Sequence, residues 1–299
     1  MKFSVSDLKQ DRQWRSAIGM SQAQFKTLLG LFEKSYVEHY KARLCARKVD
    51  VKINYCIANE EELLLFTLFS LKSGLTYDVL GVVCGMNTSN VKRNQHIGLT
   101  ILQKTLNSFG HLPKRKLLSV KDFETLFKDE TDLMLDATEQ QIQRPRHDEL
   151  QKETYSGKKK AHTLKAMAIT TKSKVIKYLS PIYIGKDHDF SLLKTEFPPG
   201  KKWFKNFHIK VDLGYLGIEK EYDCRCLSIP HKKTKNTPLT AQQKNENKQM
   251  ASERICVENS FAGLKRFRIL SDRLRLHDFV LYDVILGVCA GLWNFYLAN

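Results

Sequence analysis

The spacing of hydrophobic residues changes near residue 113. Before it, apolar side chains recur at helical intervals. The stretch SQAQFKTLLGLFEKSYVEHY, residues 21–40, places Phe25, Leu28, Leu29 and Phe32 on one side behind a Ser21 cap, which predicts a helix. Residues 60–72, EEELLLFTLFSLK, predict a strongly apolar helix. A short helix from Thr76 to Val83, a tight turn Cys84-Gly85-Met86-Asn87 and a second helix from about Thr88 to Leu106 follow. Beyond residue 113 the apolar runs shorten and become β-rich. Strands are predicted over 131–142, 161–171 and 174–185, the last two as an antiparallel pair, then a short helix over 189–197. A strand over 207–217, a short strand over 225–230, a basic loop over 231–240 and a long helix from about Ala241 to Lys265 complete the series. The run FVLYDVILGVCAGLWNFYLA, 279–298, reads as a buried terminal helix rather than a membrane span, since Asp283 and Asn294 interrupt it. All seven prolines fall at or after Pro113. The division expected is therefore a helical region over 1–115 and an α/β domain over 125–299.

Charge sharpens this picture. The 299 residues carry 49 Lys+Arg against 32 Asp+Glu, a formal charge of +17. Such an excess calls for a polyanionic partner, and nucleic acid is the first candidate. A composition with 42% hydrophobic residues excludes a wholly disordered chain. Seven scattered cysteines and an N-terminus, MKFSVSDLKQDRQW, without an apolar run point to a reducing, cytoplasmic setting, associated with the nucleoid, or with the nucleus in a eukaryotic host. No membrane partner is expected.

Two helices joined by a Gly-containing turn form the helix-turn-helix pattern, here within about 60–106. In that motif the first residues of the second helix meet base edges and phosphates. They would be Thr88, Ser89, Asn90, Lys92 and Arg93, with Asn94 beside them. The same spacing also suits an ordinary helical hairpin with a solvated face.

Three acids stand out by placement. Asp136 follows the hydrophobic run DLML, Asp212 follows FHIKV, and Glu258 lies on the long late helix. Acids at strand ends sit at the rim of a sheet, where α/β sites gather. At roughly 100° per residue, with Arg254 at zero, Glu258 falls near ~40° and Lys265 near ~20°, so all three project from one helix face. A carboxylate between two cations suits a site that holds a hard metal ion while gripping phosphate. Each feature also has a plain structural explanation. Arg254 and Glu258 can form a surface ion pair worth about 0.3–0.5 kcal/mol. Asp136 can cap a turn, and Asp212 can be an Asx-turn residue.

Together these segments resemble the DDE transposases of the insertion-sequence 5 group, within the Harbinger-like and insertion-sequence 4–5 superfamily. The resemblance rests on LMLDATEQQIQRP (133–145), YSGKKKAHTLK (155–165), GKDHD (185–189), VDLGYLG (211–217) and RICVENSFAGLKRF (254–267). The last has Arg254, Glu258 and Lys265 at the spacing of that group's signature, with Ala251 where a tyrosine is usual. LFSLKSGLTYDVLGVVCGMNTSNVKR resembles the helix-turn-helix that precedes such catalytic domains. The resemblance implies a ribonuclease-H-like mixed sheet with flanking helices. Asp136 would lie on the first strand, Asp212 just after the fourth, and Glu258 on the following helix. These three would be both catalytic and metal-binding. They would hold two Mg²⁺ ions about 3.5–4 Å apart, with Mn²⁺ able to substitute. By that resemblance, one ion would activate water or a DNA 3′-hydroxyl, and the other would stabilise the departing oxygen.

The implied partners are double-stranded DNA, as element terminal inverted repeats and as target, and a second copy of the chain when DNA is bound. Lys158, Lys159, Lys160, Lys232 and Lys233, with Arg254, Lys265 and the arginines at 266, 268, 273 and 275, are the expected phosphate contacts. Trp203 and Phe204 read as core, and His162 and His188 as structural. Two other functions share this sequence pattern: a transposase-derived DNA-binding regulator without catalysis, and a nuclease that only hydrolyses.

Overall fold

The computed structural model describes residues 1–47, 56–233, 238–275 and 278–299. In chain order its helices begin with α1 (Asp11–Ile18), α2 (Gln22–Tyr40), α3 (Leu44–Arg47), α4 (Glu60–Ser73), α5 (Tyr77–Cys84) and α6 (Thr88–Ser108). Then come α7 (Val120–Leu126), β1 (Asp132–Gln141), α8 (Asp148–Thr154), β2 (Tyr155–Ser156), β3 (Ala161–Thr170), β4 (Ile176–Leu179) and β5 (Tyr183–Ile184). The chain continues through α9 (Asp189–Glu196), β6 (His208–Lys210), α10 (Ile218–Glu221), β7 (Cys226–Ser228), α11 (Ala241–Lys265) and α12 (Phe279–Ala298). Part of the expected basic loop, residues 234–237, lies outside the described residues. Two compact units form: residues 1–112 with 264–299, and residues 113–263.

The first unit is all helical. Ser21 caps α2 by accepting the Gln24 N–H while the Gln24 side chain accepts the Ser21 N–H, a reciprocal capping box. Leu63, Leu64, Leu65, Phe66 and Leu68 are all fully buried, so α4 is apolar around its whole circumference and sits centrally. Between α5 and α6 the chain turns at Gly85, whose φ of 70° is left-handed and favours glycine. Asn87 then caps α6 by accepting the Asn90 N–H at 2.8 Å. These two helices lie within two residues of the bounds that the spacing predicts.

The last 36 residues depart from the expected division. The sequence reading places them with the α/β domain, whereas α12 packs on α6 in the helical unit. Leu281, Ile285, Val288, Leu292 and Phe295 are buried there, and Asn294 donates to the His111 carbonyl at 2.9 Å. Among the described residues α12 is the one helix long and apolar enough to cross a membrane, and 72% of its 18-residue apolar window is buried within the fold. Its uniform hydrophobicity does not show which core receives it.

The second unit is built on a mixed sheet. β1 runs antiparallel to β3 from Met134↔Thr170 to Gln141↔Thr163. On its other edge β1 runs parallel to β6, which runs parallel to β7. β4, β5 and β2 pair with β3. The single strand expected over 174–185 is two strands, since Pro181 has no N–H to continue the ladder. The strand expected over 207–217 stops at Lys210, and Leu213–Tyr215 form a 3₁₀ turn. One sheet face, with Leu133, Leu135, Met167 and Ile169, carries an aromatic cluster of Phe123, Phe127, Phe197, Trp203, Phe204 and Phe207. Trp203 and Phe204 are core, as read from the sequence.

Phe123 is the hub of this cluster, with ring centroids 4.6 Å from Phe127, 5.4 Å from Phe197 and Phe204, and 5.5 Å from Phe207. Phe123→Ala is expected to lower the unfolding free energy of this unit by about 3–5 kcal/mol. Urea unfolding followed by tryptophan fluorescence checks it, and a loss under about 1 kcal/mol contradicts the packing.

Candidate active site

The site is organised by where β6 ends. Parallel pairing of β1 with β6 stops at Met134↔Lys210, so Asp136, two residues farther along β1, faces an edge that its neighbour has left. Asp136 is thus the fifth residue of a ten-residue strand, not the strand-end acid expected from the sequence. Its Oδ1 accepts the Ala137 N–H at 2.8 Å, and its Oδ2 lies 3.1 Å from an Arg254 terminal nitrogen. Asp212 sits where the chain leaves the sheet. Its Oδ1 accepts the Gly214 N–H at 2.8 Å, the Asx-turn arrangement, which fixes the carboxylate at the end of the parallel strands.

A third acid, Asp189 at the start of α9, joins them. A Cβ built on Gly214 would lie 2.8 Å from Asp212 Oδ1 and 2.9 Å from Asp189 Oδ2, so the two carboxylates close on the same bare glycine. Lys165 on β3 is buried against this corner. Its ammonium donates to the Asp187 carbonyl at 2.7 Å and lies 2.9 Å from Asp189 and 3.4 Å from Glu139. Tyr215 is fully buried, and its hydroxyl has no hydrogen-bond partner among the described residues. Burial first, then the charges of Asp189, Asp136 and Asp212, hold that hydroxyl well above its ordinary pKa.

The helix that carries Arg254 is tethered one residue earlier. Lys210 Nζ bridges Glu253 on α11 at 2.7 Å and Asp132 on β1 at 3.0 Å. Ser260 also donates to the Lys174 carbonyl at 2.8 Å. Arg254 therefore approaches Asp136 from an anchored helix, and its Nε has no partner among the described residues.

Glu258 follows Arg254 by one turn on α11. Among the described residues no three His, Cys, Asp or Glu side chains are gathered at metal-holding distance. Arg254 reaches Asp136, and Glu258 is exposed. Lys265 ends α11, exposed and within the helical unit. Lys158, Lys159, Lys160, Lys232 and Lys233 are exposed. On α6, Thr88, Ser89, Lys92 and Arg93 are exposed, Asn90 is half-buried, and the Thr88 hydroxyl donates to Asp78 at 2.7 Å. His96 extends this exposed face and was not among the sequence candidates. Arg266 differs from expectation: its guanidinium stacks 4.1 Å over the Tyr296 ring, and burial lowers its pKa. His162 is structural, bonded to Thr154 at 3.0 Å.

Asp189, Lys165, Glu139 and Tyr215 were not among the sequence candidates, although GKDHD and VDLGYLG contain two of them. Nothing in chain spacing relates Asp189 to Asp212. The relation appears only once α9 and the turn at Gly214 meet.

The donor chemistry fits a divalent cation. Asp136 and Asp212 bring hard oxygens, and a buried unpaired hydroxyl stands beside them. The Asp136 carboxyl is pushed up to about 6, foremost by burial, which the Arg254 charge and the Ala137 N–H oppose and the Asp212 and Asp189 charges reinforce. A carboxyl in that state gains from a nearby cation.

Residues 135–294 match the family described as DDE superfamily endonuclease, a span that includes Asp136, Asp212 and Glu258. Over 224 residues, 75% of each chain, the sequence is 33% identical to a probable transposase for insertion sequence element IS702 from Microchaete diplosiphon. No solved structure matches the chain.

The raised Asp136 pKa sets a pH dependence. The folded protein keeps this proton to a higher pH than the unfolded chain does, so stability falls as pH rises from about 4 to about 6. With no divalent ion present, the Asp136 contribution to this loss is about 3 kcal/mol. Asp136→Asn is expected to remove it and to be more stable than the wild type at pH 7. Urea unfolding at pH 4 and pH 7 in chelator-treated buffer checks this, and identical pH profiles for the two proteins contradict it.

Proposed function

The chain belongs to the DDE superfamily endonucleases, as a DDE transposase of an insertion-sequence family, and from that premise we propose that it binds the terminal inverted repeats of its element and catalyses metal-dependent cleavage and strand transfer. The observation that carries this reading is the meeting of Asp136, Asp212 and Arg254 where the parallel strands end. There, carboxylates for a cation and a guanidinium for phosphate lie side by side.

In this reading Asp136, Asp212 and Glu258 would hold two Mg²⁺ ions. When bound, the ions supply activation of the attacking oxygen and stabilisation of the leaving one. The chain's own residues do the rest. Asp212 is oriented by its Asx turn, and Asp136 by the β1 backbone and Arg254. Arg254, held 3.1 Å from Asp136, would be the group to grip a phosphate oxygen beside the acids. Glu258, one turn along α11, joins when DNA covers the exposed helix face. The exposed lysines at 158–160, 232 and 233, with Lys265, bind the flanking phosphates.

The helical unit supplies recognition. Ser89, Lys92, Arg93 and His96 stand at intervals of three and four on the exposed face of α6, with Thr88 and Asn90 at its start. The protein acts in the cytoplasm and pairs with a second copy when two element ends are joined.

Cleavage of element-end DNA with Mg²⁺ tests the chemistry. Asp136→Asn and Glu258→Gln are each expected to lose at least about 100-fold in rate. Full activity of either variant removes that residue from the site. A second assay separates recognition from chemistry. Arg93→Ala is expected to weaken binding to a terminal-repeat duplex by about 1–3 kcal/mol without changing Mg²⁺-dependent thermal stabilisation. Unchanged affinity at fixed salt refutes the role of α6.

A further inference from the structure

The two sides of the sheet in the second unit are used differently. Leu133 and Leu135 on β1, with Val211 just after β6, belong to the aromatic core. Side chains alternate along a strand, so Asp132 and Asp136 share the other side of β1, and Lys210 the same side of β6. From that side two adjacent residues of α11 are bridged to β1. Arg254 meets Asp136 directly at 3.1 Å. Glu253 meets β1 through Lys210, whose ammonium lies 2.7 Å from Glu253 and 3.0 Å from Asp132.

The two bridges are not equally well held. Lys210 is only 5% exposed, and it is the last residue of β6 to pair with β1, opposite Met134. Its reach is therefore fixed at both ends. Among the described residues Asp136 is the one hydrogen-bond partner of the Arg254 side chain, whose Nε has none. The place of Arg254 is set by the helix that carries it. Ser260 and the buried Val257 hold that helix farther along, so Lys210 fixes its approach at Glu253 and Arg254. Asp132 does not need Lys210 for its own charge. It also has Lys172 Nζ at 2.8 Å, His208 Nδ1 at 3.1 Å and the Thr131 hydroxyl at 2.8 Å. What Lys210 adds is the link to α11.

We propose that Lys210 is a positioning residue for cleavage, which clasps Glu253 to Asp132 and so sets Arg254 against Asp136. Lys210 touches no substrate, and its effect on the reaction passes through Arg254. This inference rests on the reading of Arg254 as the group that grips phosphate.

The test uses the full chain and Mg²⁺-dependent cleavage of element-end DNA. Lys210→Met is expected to lower kcat by about 10–100-fold while KM stays within about 2-fold, because a misplaced group costs rate more than binding. Glu253→Ala, which breaks the same link at a half-exposed side chain, is expected to do the same and carries the test where Lys210→Met folds poorly. Neither change is expected to lower kcat further in an Arg254→Ala protein, since groups acting in series do not add. Wild-type kcat in both single variants, or losses that multiply with that of Arg254→Ala, overturns the proposal. A second arm needs neither DNA nor activity. The Arg254 guanidinium protons, followed by ¹⁵N NMR, are expected to exchange with water at least about 10-fold faster in Lys210→Met and Glu253→Ala than in the wild type. Unchanged exchange in both overturns the clasp. A wild-type protein that fails to cut DNA overturns the cleavage reading instead, and the exchange rates still decide whether Lys210 places Arg254.

Discussion

Withdrawing the Asp136 carboxylate from water is unfavourable, and setting Asp212 and Asp189 near it adds repulsion. Much of the second unit can be understood as making that arrangement possible. The antiparallel ladder with β3 fixes β1 along most of its length. The aromatic cluster on the opposite face anchors the same strand through Leu133 and Leu135. Rigid backbone is needed because a flexible strand would relieve the repulsion by turning Asp136 outward. Arg254 supplies partial compensation, and Lys210 keeps the helix carrying it close to the sheet.

The same constraint explains why the acids come from unrelated points in the sequence. A sheet whose inner strands end at different levels leaves an open edge beside the longer strand. Side chains on the neighbouring turns can enter there without crossing the hydrogen-bond ladder. Asp212 does so from the turn after β6, and Asp189 from the start of α9. Gly214 matters because any side chain at that position would occupy the space between the two carboxylates.

What the sequence made legible follows physical range. The caps of α2 and α6 and the turn at Gly85 are local, and so were read within a residue or two. Core strands were found by their apolar runs, but their ends were not, because Pro181 and the Asx turn at Asp212 stop pairing while hydrophobicity continues. Asp136 and Asp212 were visible as acids beside apolar runs. Asp189, Lys165 and Tyr215 were not, since their roles depend on contacts across 20 or more residues. The placement of α12 failed for the same reason: an all-apolar helix suits any core. The 100° arithmetic on α11 was sound as geometry, yet it could not say that Arg254 reaches Asp136 while Glu258 is exposed.

The central claim is that Asp136 is a buried acid waiting for a cation. A carboxyl ¹³C NMR titration of Asp136, run without and with saturating Mg²⁺, tests it most directly. The account predicts a midpoint near about 6 in the absence of the ion and one below the ordinary carboxylate range in its presence. A midpoint near about 4 that Mg²⁺ leaves unmoved would contradict it.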